Sequence, residues 1–232
     1  MSSRQDIRDG ADFEHSLRGL IYTDVLGWID MGHARGDDVE ELRRQFVQGE
    51  GSGRNYYVVM YRQDMSVAKV SSRLGIGRFA KWEIRRGRDT HEINRMMLAM
   101  MMSTAFNFED LQSLRLFTWY TDSGFSGEDL VSDLFGFYRA IRPGFYADLV
   151  KPVSYESALR RWDYYGAIGS FKNSGFKPII FPDPDDPCIK HEPYIAELPM
   201  FMRWLYPWDD FTSGVVNVLT ENGTAFGYTG VR

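Results

Sequence analysis

The sequence predicts an α+β chain, mostly helical, with a small antiparallel β-sheet beside a helical lobe. Three observations predict it. A polar helix pattern from Asp37 stops at Gly49-Glu50-Gly51, directly ahead of three strand-like runs that reach Arg86. Met96, Met97, Leu98, Met100, Met101 and Met102 form a segment that is apolar nearly all round, the mark of a helix buried on most sides. Further helix patterns then follow to Tyr165. Helices gathered after a short block of strands are the α+β arrangement.

The elements follow in chain order. Residues 1–14 read as a polar lead-in. Leu17 to Met31 is apolar and aromatic and reads as a first helix, ending at Gly32 to Gly36. Asp37 then caps the polar helix, with Glu40 at the capping-box position. Tyr56 to Tyr61 is a buried strand by its aromatic and β-branched content. Gln63-Asp64 reads as a turn, Val67 to Val70 as a second strand, and Gly75 and Gly77 as the next turn. Phe79 to Arg86 alternates, with Ala80, Trp82 and Ile84 on one face. Thr90 caps the Met-rich helix, which runs to about Phe106. A second helix pattern covers Asp110 to Trp119 and ends at Asp122-Ser123-Gly124. Another opens with Ser126 as N-cap, continues to about Ile141 and closes at Pro143. Tyr155 to Tyr165 is a further helix. Residues 177–207 form an irregular segment rich in Pro and Asp, with one apolar turn near Met200 to Leu205. The tail from Val215 alternates loosely. There is no internal repeat, and residues 1–232 read as one domain.

Composition narrows the chemistry. The chain is 44% hydrophobic and 25% charged, enough apolar content for a core without staples. The net charge of -5 and the lack of a basic tail exclude nucleic acid as the main partner. The single cysteine, Cys188, excludes an internal disulfide and a Cys-rich zinc site, and reads as a structural thiol. No apolar run approaches the ~18 residues of a membrane span, so no membrane insertion is expected. The polar start is not a signal peptide. The expectation is synthesis in the cytoplasm, with no cofactor.

Two resemblances stand on named residues. Gly19-Leu20-Ile21-Tyr22-Thr23 through Gly27-Trp28-Ile29-Asp30-Met31-Gly32-His33-Ala34-Arg35 resembles one string of an uncharacterised bacterial family. Phe125-Ser126-Gly127-Glu128-Asp129-Leu130-Val131-Ser132-Asp133-Leu134-Phe135-Gly136 resembles its second string, with Asp133 where that family has Asn. The family implies no chemistry. The whole chain also resembles the lysozyme-active C-terminal domain of dual amidase-lysozyme effectors of the type VI secretion system. Glu50-Gly51 followed by strands is similar to phage-type lysozymes, whose second carboxylate lies closer to the Glu than Asp64 does here. This resemblance implies a lysozyme-like fold with a cleft between its lobes. It also implies an antibacterial toxin that cuts the β-1,4 glycan backbone of peptidoglycan in the target-cell periplasm, with an immunity protein and a secretion-system carrier as partners.

The residues themselves suggest a site. A carboxyl at the C-terminal end of a helix meets the negative end of the helix dipole, a setting that suits a proton donor. Glu50 is therefore the candidate general acid, and Asp64 the candidate second carboxylate. The alternative is a solvated Glu in a Gly-rich loop and an ordinary turn Asp. Glu109, just after the apolar Met-rich helix, is a second candidate acid; otherwise it begins the next helix beside Asp110. Asp30 and His33, three apart, share a helix face, and Asp30 can hold the imidazole in one tautomer. The alternative is a structural His–Asp bond tying the first helix to the core. Glu128 and Asp129 read as first-turn residues. Arg85, Arg86 and Arg88 read as a solvated turn. Asp183 to Asp186 lacks calcium-loop spacing. Two rival functions remain: a metal-assisted peptidoglycan amidase using Asp30, His33 and Glu109, and a non-enzymatic binding or adaptor protein.

Overall fold

The computed structural model describes residues 2–66, 74–113, 127–173 and 175–228. In chain order the elements are β1 (Leu20–Thr23), β2 (Gly27–Asp30), α1 (Asp37–Gly51), β3 (Tyr56–Ser66), β4 (Leu74–Arg85), α2 (Thr90–Ser113), α3 (Asp129–Ile141), α4 (Ala147–Val150), α5 (Tyr155–Tyr165), β5 (Ile179–Ile180), β6 (Tyr194–Ile195) and β7 (Val216–Tyr228). Short 3₁₀ turns lie between them. The class is α+β with antiparallel sheets. No helix among the described residues is long and apolar enough to cross a membrane. The chain divides into two compact units, each assembled from separated stretches. The first holds Met1–Gly36 and Asp110–Trp204; the second holds Asp37–Glu109 and Leu205–Arg232.

In the second unit, α1 begins with Asp37, Asp38 and Glu40, whose charges suit a helix N-terminus. It buries Val39, Leu42, Phe46 and Gly49, an apolar stripe at helical spacing that lies on β3. β3 answers with period two: Tyr57, Val59 and Tyr61 are buried, while Tyr56, Val58 and Met60 are exposed. β4 is the central strand, antiparallel to β3 and β7, and buries Ala80, Trp82 and Ile84 as its alternation predicts. A bulge interrupts the β4–β7 register between Phe79 and Trp82. Unpaired edge groups on β3 are a liability. At Met60 they are met by one side chain, since Gln45 Nε2 donates to Met60 O at 3.0 Å and Met60 N donates to Gln45 Oε1 at 2.8 Å.

Several expectations are corrected here. The helix does not fade at Gly49 but continues to Gly51. Gly49 is glycine because the Tyr57 ring lies where a Cβ would stand, 2.1 Å from Tyr57 Cδ2. Gln63-Asp64 is not a turn: Asp64 pairs with Gly77 and Gln63 with Arg78, inside one long hairpin. Gly75 and Gly77 are strand residues of β4 for the same reason. The expected strand Val67 to Val70 lies outside the described residues. The cap of α2 is Asp89, not Thr90. Asp89 Oδ1 accepts from Glu92 N at 2.8 Å, and Glu92 Oε2 accepts from Asp89 N at 3.2 Å, a reciprocal capping box.

In the first unit, the apolar run that reads as a first helix is the β1–β2 hairpin, with Tyr22 opposite Trp28. Its residues are buried on both faces, so the alternation that marks a half-exposed strand is absent. The supposed lead-in contributes Ile7 and Phe13 to the interior. Tyr22, Trp28, Trp162, Ile179 and Phe181 belong to one core cluster. Trp28 stands edge-on to Tyr22 at 5.2 Å and to Trp162 at 5.6 Å. Such aromatic pairs add about 0.5–1.5 kcal/mol beyond area burial. α5 spans Tyr155–Tyr165 as expected, capped by Ser154. The Pro- and Asp-rich stretch holds only the two-residue strands β5 and β6 and the turn at Met200–Met202. Cys188 is exposed there and is no core thiol. The proposed cap Ser126 and residues 114–125 lie outside the described residues.

Candidate functional site

Glu50 stands in the last turn of α1, partly exposed, with the β3–β4 hairpin beside it. Three donors hold its carboxylate. Tyr57 Oη donates to Oε1 at 2.9 Å, Gly87 N to Oε2 at 2.8 Å, and Arg88 N to Oε1 at 3.3 Å. The group is thus no loose loop residue. It joins the end of α1 to the start of β3 and to the β4–α2 connection. Burial and the Glu50 carboxylate push the Tyr57 phenol well above its usual range, so Tyr57 stays a donor. Arg88 pairs with Glu92 through Nη1 at 3.2 Å, while its buried Nε has no hydrogen-bond partner among the described residues. Next to Glu50 there is therefore a spare donor of the kind a ligand oxygen satisfies.

The other two candidates do not join it. A strand rises ~3.3 Å per residue, which carries Asp64 about 23 Å beyond Tyr57 along β3. That is outside the ~5–9.5 Å span of a glycosidase carboxylate pair, so Asp64 is not Glu50's partner. Glu109 does not follow the Met-rich helix; it lies within α2, which runs on to Ser113. At 1.5 Å per residue it stands about 28 Å along the axis from Thr90. The side chains of Asp64 and Glu109 are outside the described residues.

In the first unit, Asp30 and His33 do not share a helix face. Asp30 ends β2, and His33 opens a 3₁₀ turn, His33–Arg35. Asp30 Oδ1 accepts from Gly32 N at 2.7 Å, which bends the chain out of the strand. The partner of His33 is Asp133 on α3, with Nδ1 2.8 Å from Oδ1. Asp133 is 8% exposed, whereas the His33 side chain keeps an open edge at 37%. Burial pulls the imidazole down. The Asp133 charge and hydrogen bond, with Asp129 and Asp30 behind them, more than reverse this, and His33 titrates well above its usual value. Nε2 has no hydrogen-bond partner among the described residues.

This pairing joins the two strings singled out in the sequence. Ser132 Oγ accepts from Asp30 N at 2.9 Å and donates to Glu128 O at 2.6 Å. Gly36, in the left-handed region, and Gly136 allow the 3₁₀ turn and α3 to touch. A Cβ on Gly36 would stand 2.4 Å from Gly136 O, and one on Gly136 2.7 Å from His33 O. Glu128 and Asp129 are not surface capping residues: Glu128 is 2% exposed and accepts from Ser2 Oγ at 2.8 Å. Asp133 is the residue that sequence reasoning missed. Its signal was the Asp129/Asp133 spacing, four apart on one helix face.

Among the described residues, no group of three or more His, Cys, Asp or Glu side chains has metal-holding geometry. The trio Asp30, His33 and Glu109 is split between the two units. No family model, no curated protein and no solved structure matches the chain.

Proposed function

We propose that the chain is a lysozyme-like glycoside hydrolase that cuts the β-1,4 glycan backbone of peptidoglycan, with Glu50 as proton donor. The observation that supports it is the setting of Glu50: a partly exposed carboxyl in the last turn of a helix, before an antiparallel hairpin, beside a spare buried donor on Arg88. In this reading Glu50 protonates the leaving oxygen as the glycosidic C–O bond breaks, and the resulting carboxylate takes the proton of the water whose oxygen bonds to the freed sugar carbon. Arg88 Nε–H binds a substrate oxygen. No cofactor takes part. The biological setting follows the effector resemblance: a secreted antibacterial toxin acting in the target-cell periplasm, with an immunity protein and a carrier as partners. The test is release of reducing sugar from purified peptidoglycan. Wild type should release it, and Glu50→Gln should lose about 10²- to 10⁴-fold of the rate, the usual share of one proton donor. Equal rates would remove Glu50 from the chemistry.

A second reading is favoured by the His33–Asp133 pair. An imidazole held by a carboxylate, on a side chain 37% exposed, is an acid–base device suited to amide hydrolysis. It predicts freed stem peptides on uncut glycan, lost in His33→Gln. If neither sugar nor peptide is released, a binding or adaptor role replaces both.

A further inference from the structure

One cavity uses none of the candidate catalytic residues above. It lies in the first unit, has a volume of about 650 Å³, and opens between the β1–β2 turn, α5 and the β5–β6 segment. That is ample for a small-molecule ligand. At its base is Arg161, 5% exposed. The guanidinium stacks 4.6 Å from the Tyr22 ring centroid, Nε donates to Phe181 O at 3.0 Å, and Nη1 donates to Ser157 O at 3.2 Å. Among the described residues, only Nη2 is left without a hydrogen bond. It stands 3.6 Å from Asp24 Oδ1 and 3.5 Å from Asp183 Oδ2, ion-pair distances too long for strong hydrogen bonds. Three planar polar groups therefore converge on one space, separated by a gap. Tyr194, 54% exposed, lines the same cavity.

Charge selects the class of ligand. Arg161 and Lys190 face Asp24, Asp183 and Glu192 around the cavity. An anion would meet three carboxylates, and a cation would meet a fixed guanidinium. A neutral polyol satisfies both sets, because each hydroxyl donates to a carboxylate and accepts from Nη2. The apolar face of a sugar ring also finds an aromatic wall at Tyr194. We propose that this cavity is a saccharide-binding site, with Asp24, Asp183 and Arg161 gripping neighbouring hydroxyls and Tyr194 stacking on the ring. The polyol chemistry stands on the cavity alone. The choice of an amino-sugar oligomer as probe rests on the glycan reading above.

The test is calorimetric titration of the full chain with tri-N-acetylchitotriose, a β-1,4-linked amino-sugar trimer. Saturable binding is expected, with a component beyond that of the Glu50 site that is weakened about tenfold or more in Asp183→Asn and in Asp24→Asn, since each removes a charge-assisted hydrogen bond. Asp24 and Asp183 are partly exposed at 52% and 35%, so each variant should stay folded with a small fall in Tm, whereas replacing the buried Arg161 would disturb the core. In the Glu50→Gln background that component should keep its sensitivity to Asp183→Asn and Asp24→Asn, so binding at this cavity and hydrolysis fail or succeed separately. Three results overturn the proposal: no saturable binding at about 10 mM trimer, unchanged affinity in both Asp variants, or displacement of the trimer by inorganic phosphate, which would mark an anion site.

Discussion

Glu50 has a structural task whatever its chemistry. Its carboxylate collects one phenol and two backbone N–H donors from three parts of the second unit. Tyr57→Phe removes the phenol donor and leaves the backbone donors in place. A hydrogen bond to a charged acceptor contributes about 1.5–3 kcal/mol when buried. Glu50 is partly exposed, so the expected loss is nearer 1 kcal/mol, a fall of ~2–4 °C in Tm for a chain of this size, checked by thermal melting. His33 gives a pH signature. Its folded pKa is raised, so the His33–Asp133 pair contributes its full stabilisation below about pH 6.5, the unperturbed imidazole value, wherever carboxylates are ionised. That contribution is lost as pH rises through the higher folded pKa. Asp133→Asn should therefore cost about 1 kcal/mol near pH 6, discounted for the open edge of the ring, and progressively less at alkaline pH. Urea titrations of both proteins across pH check this; a gap that widened with pH would contradict the ion pair.

At the level of elements, glycine is the residue whose meaning the sequence hid. Gly49 reads as a helix terminator, yet it is helical and gives room to Tyr57, whose ring also stands edge-on to Phe46 at 6.1 Å. Gly49→Ala gains at most ~1 kcal/mol of helix propensity. It forces a ring held by Phe46 and Glu50 to move, at about 1–3 kcal/mol. Packing wins, and the variant should be less stable. Hydrogen exchange should show the loss in α1 and β3, with the amides of β1, β2 and α5 protected as before. If Gly49→Ala stabilised the protein instead, the ring contact would not be what selects glycine. The same effect explains which elements were legible. α1, α3 and α5 have amphipathic stripes, caps or a closing proline, and β4 alternates cleanly, so each is found near its expected place. The β1–β2 hairpin has no exposed face and hence no alternation, and it passes for a helix. The long β3–β4 hairpin carries Asp64, Gly75 and Gly77 in mid-strand, where residue type argues for turns, and cross-strand pairing overrides it.

At the level of the molecule, neither candidate centre could be read whole from the sequence. Glu50 was legible because helix end and hairpin adjoin in the chain. Its partners Gly87 and Arg88 come from the far side of that hairpin. Asp133 meets His33 from a hundred residues away, too far along the chain for local patterning to pair them. The cavity around Arg161 draws on three separated stretches, and none carries a motif. The charge of -5 is compatible with a neutral polyol in that cavity, whose own lining mixes both signs. Under the proposed function, Glu50 protonates a glycosidic oxygen. The most direct test is mass spectrometry of purified peptidoglycan digested by wild type and by Glu50→Gln, both in EDTA. Disaccharide-peptides with free sugar ends are expected from wild type and almost none from Glu50→Gln. Free stem peptides on uncut glycan, or identical products from both proteins, would contradict it.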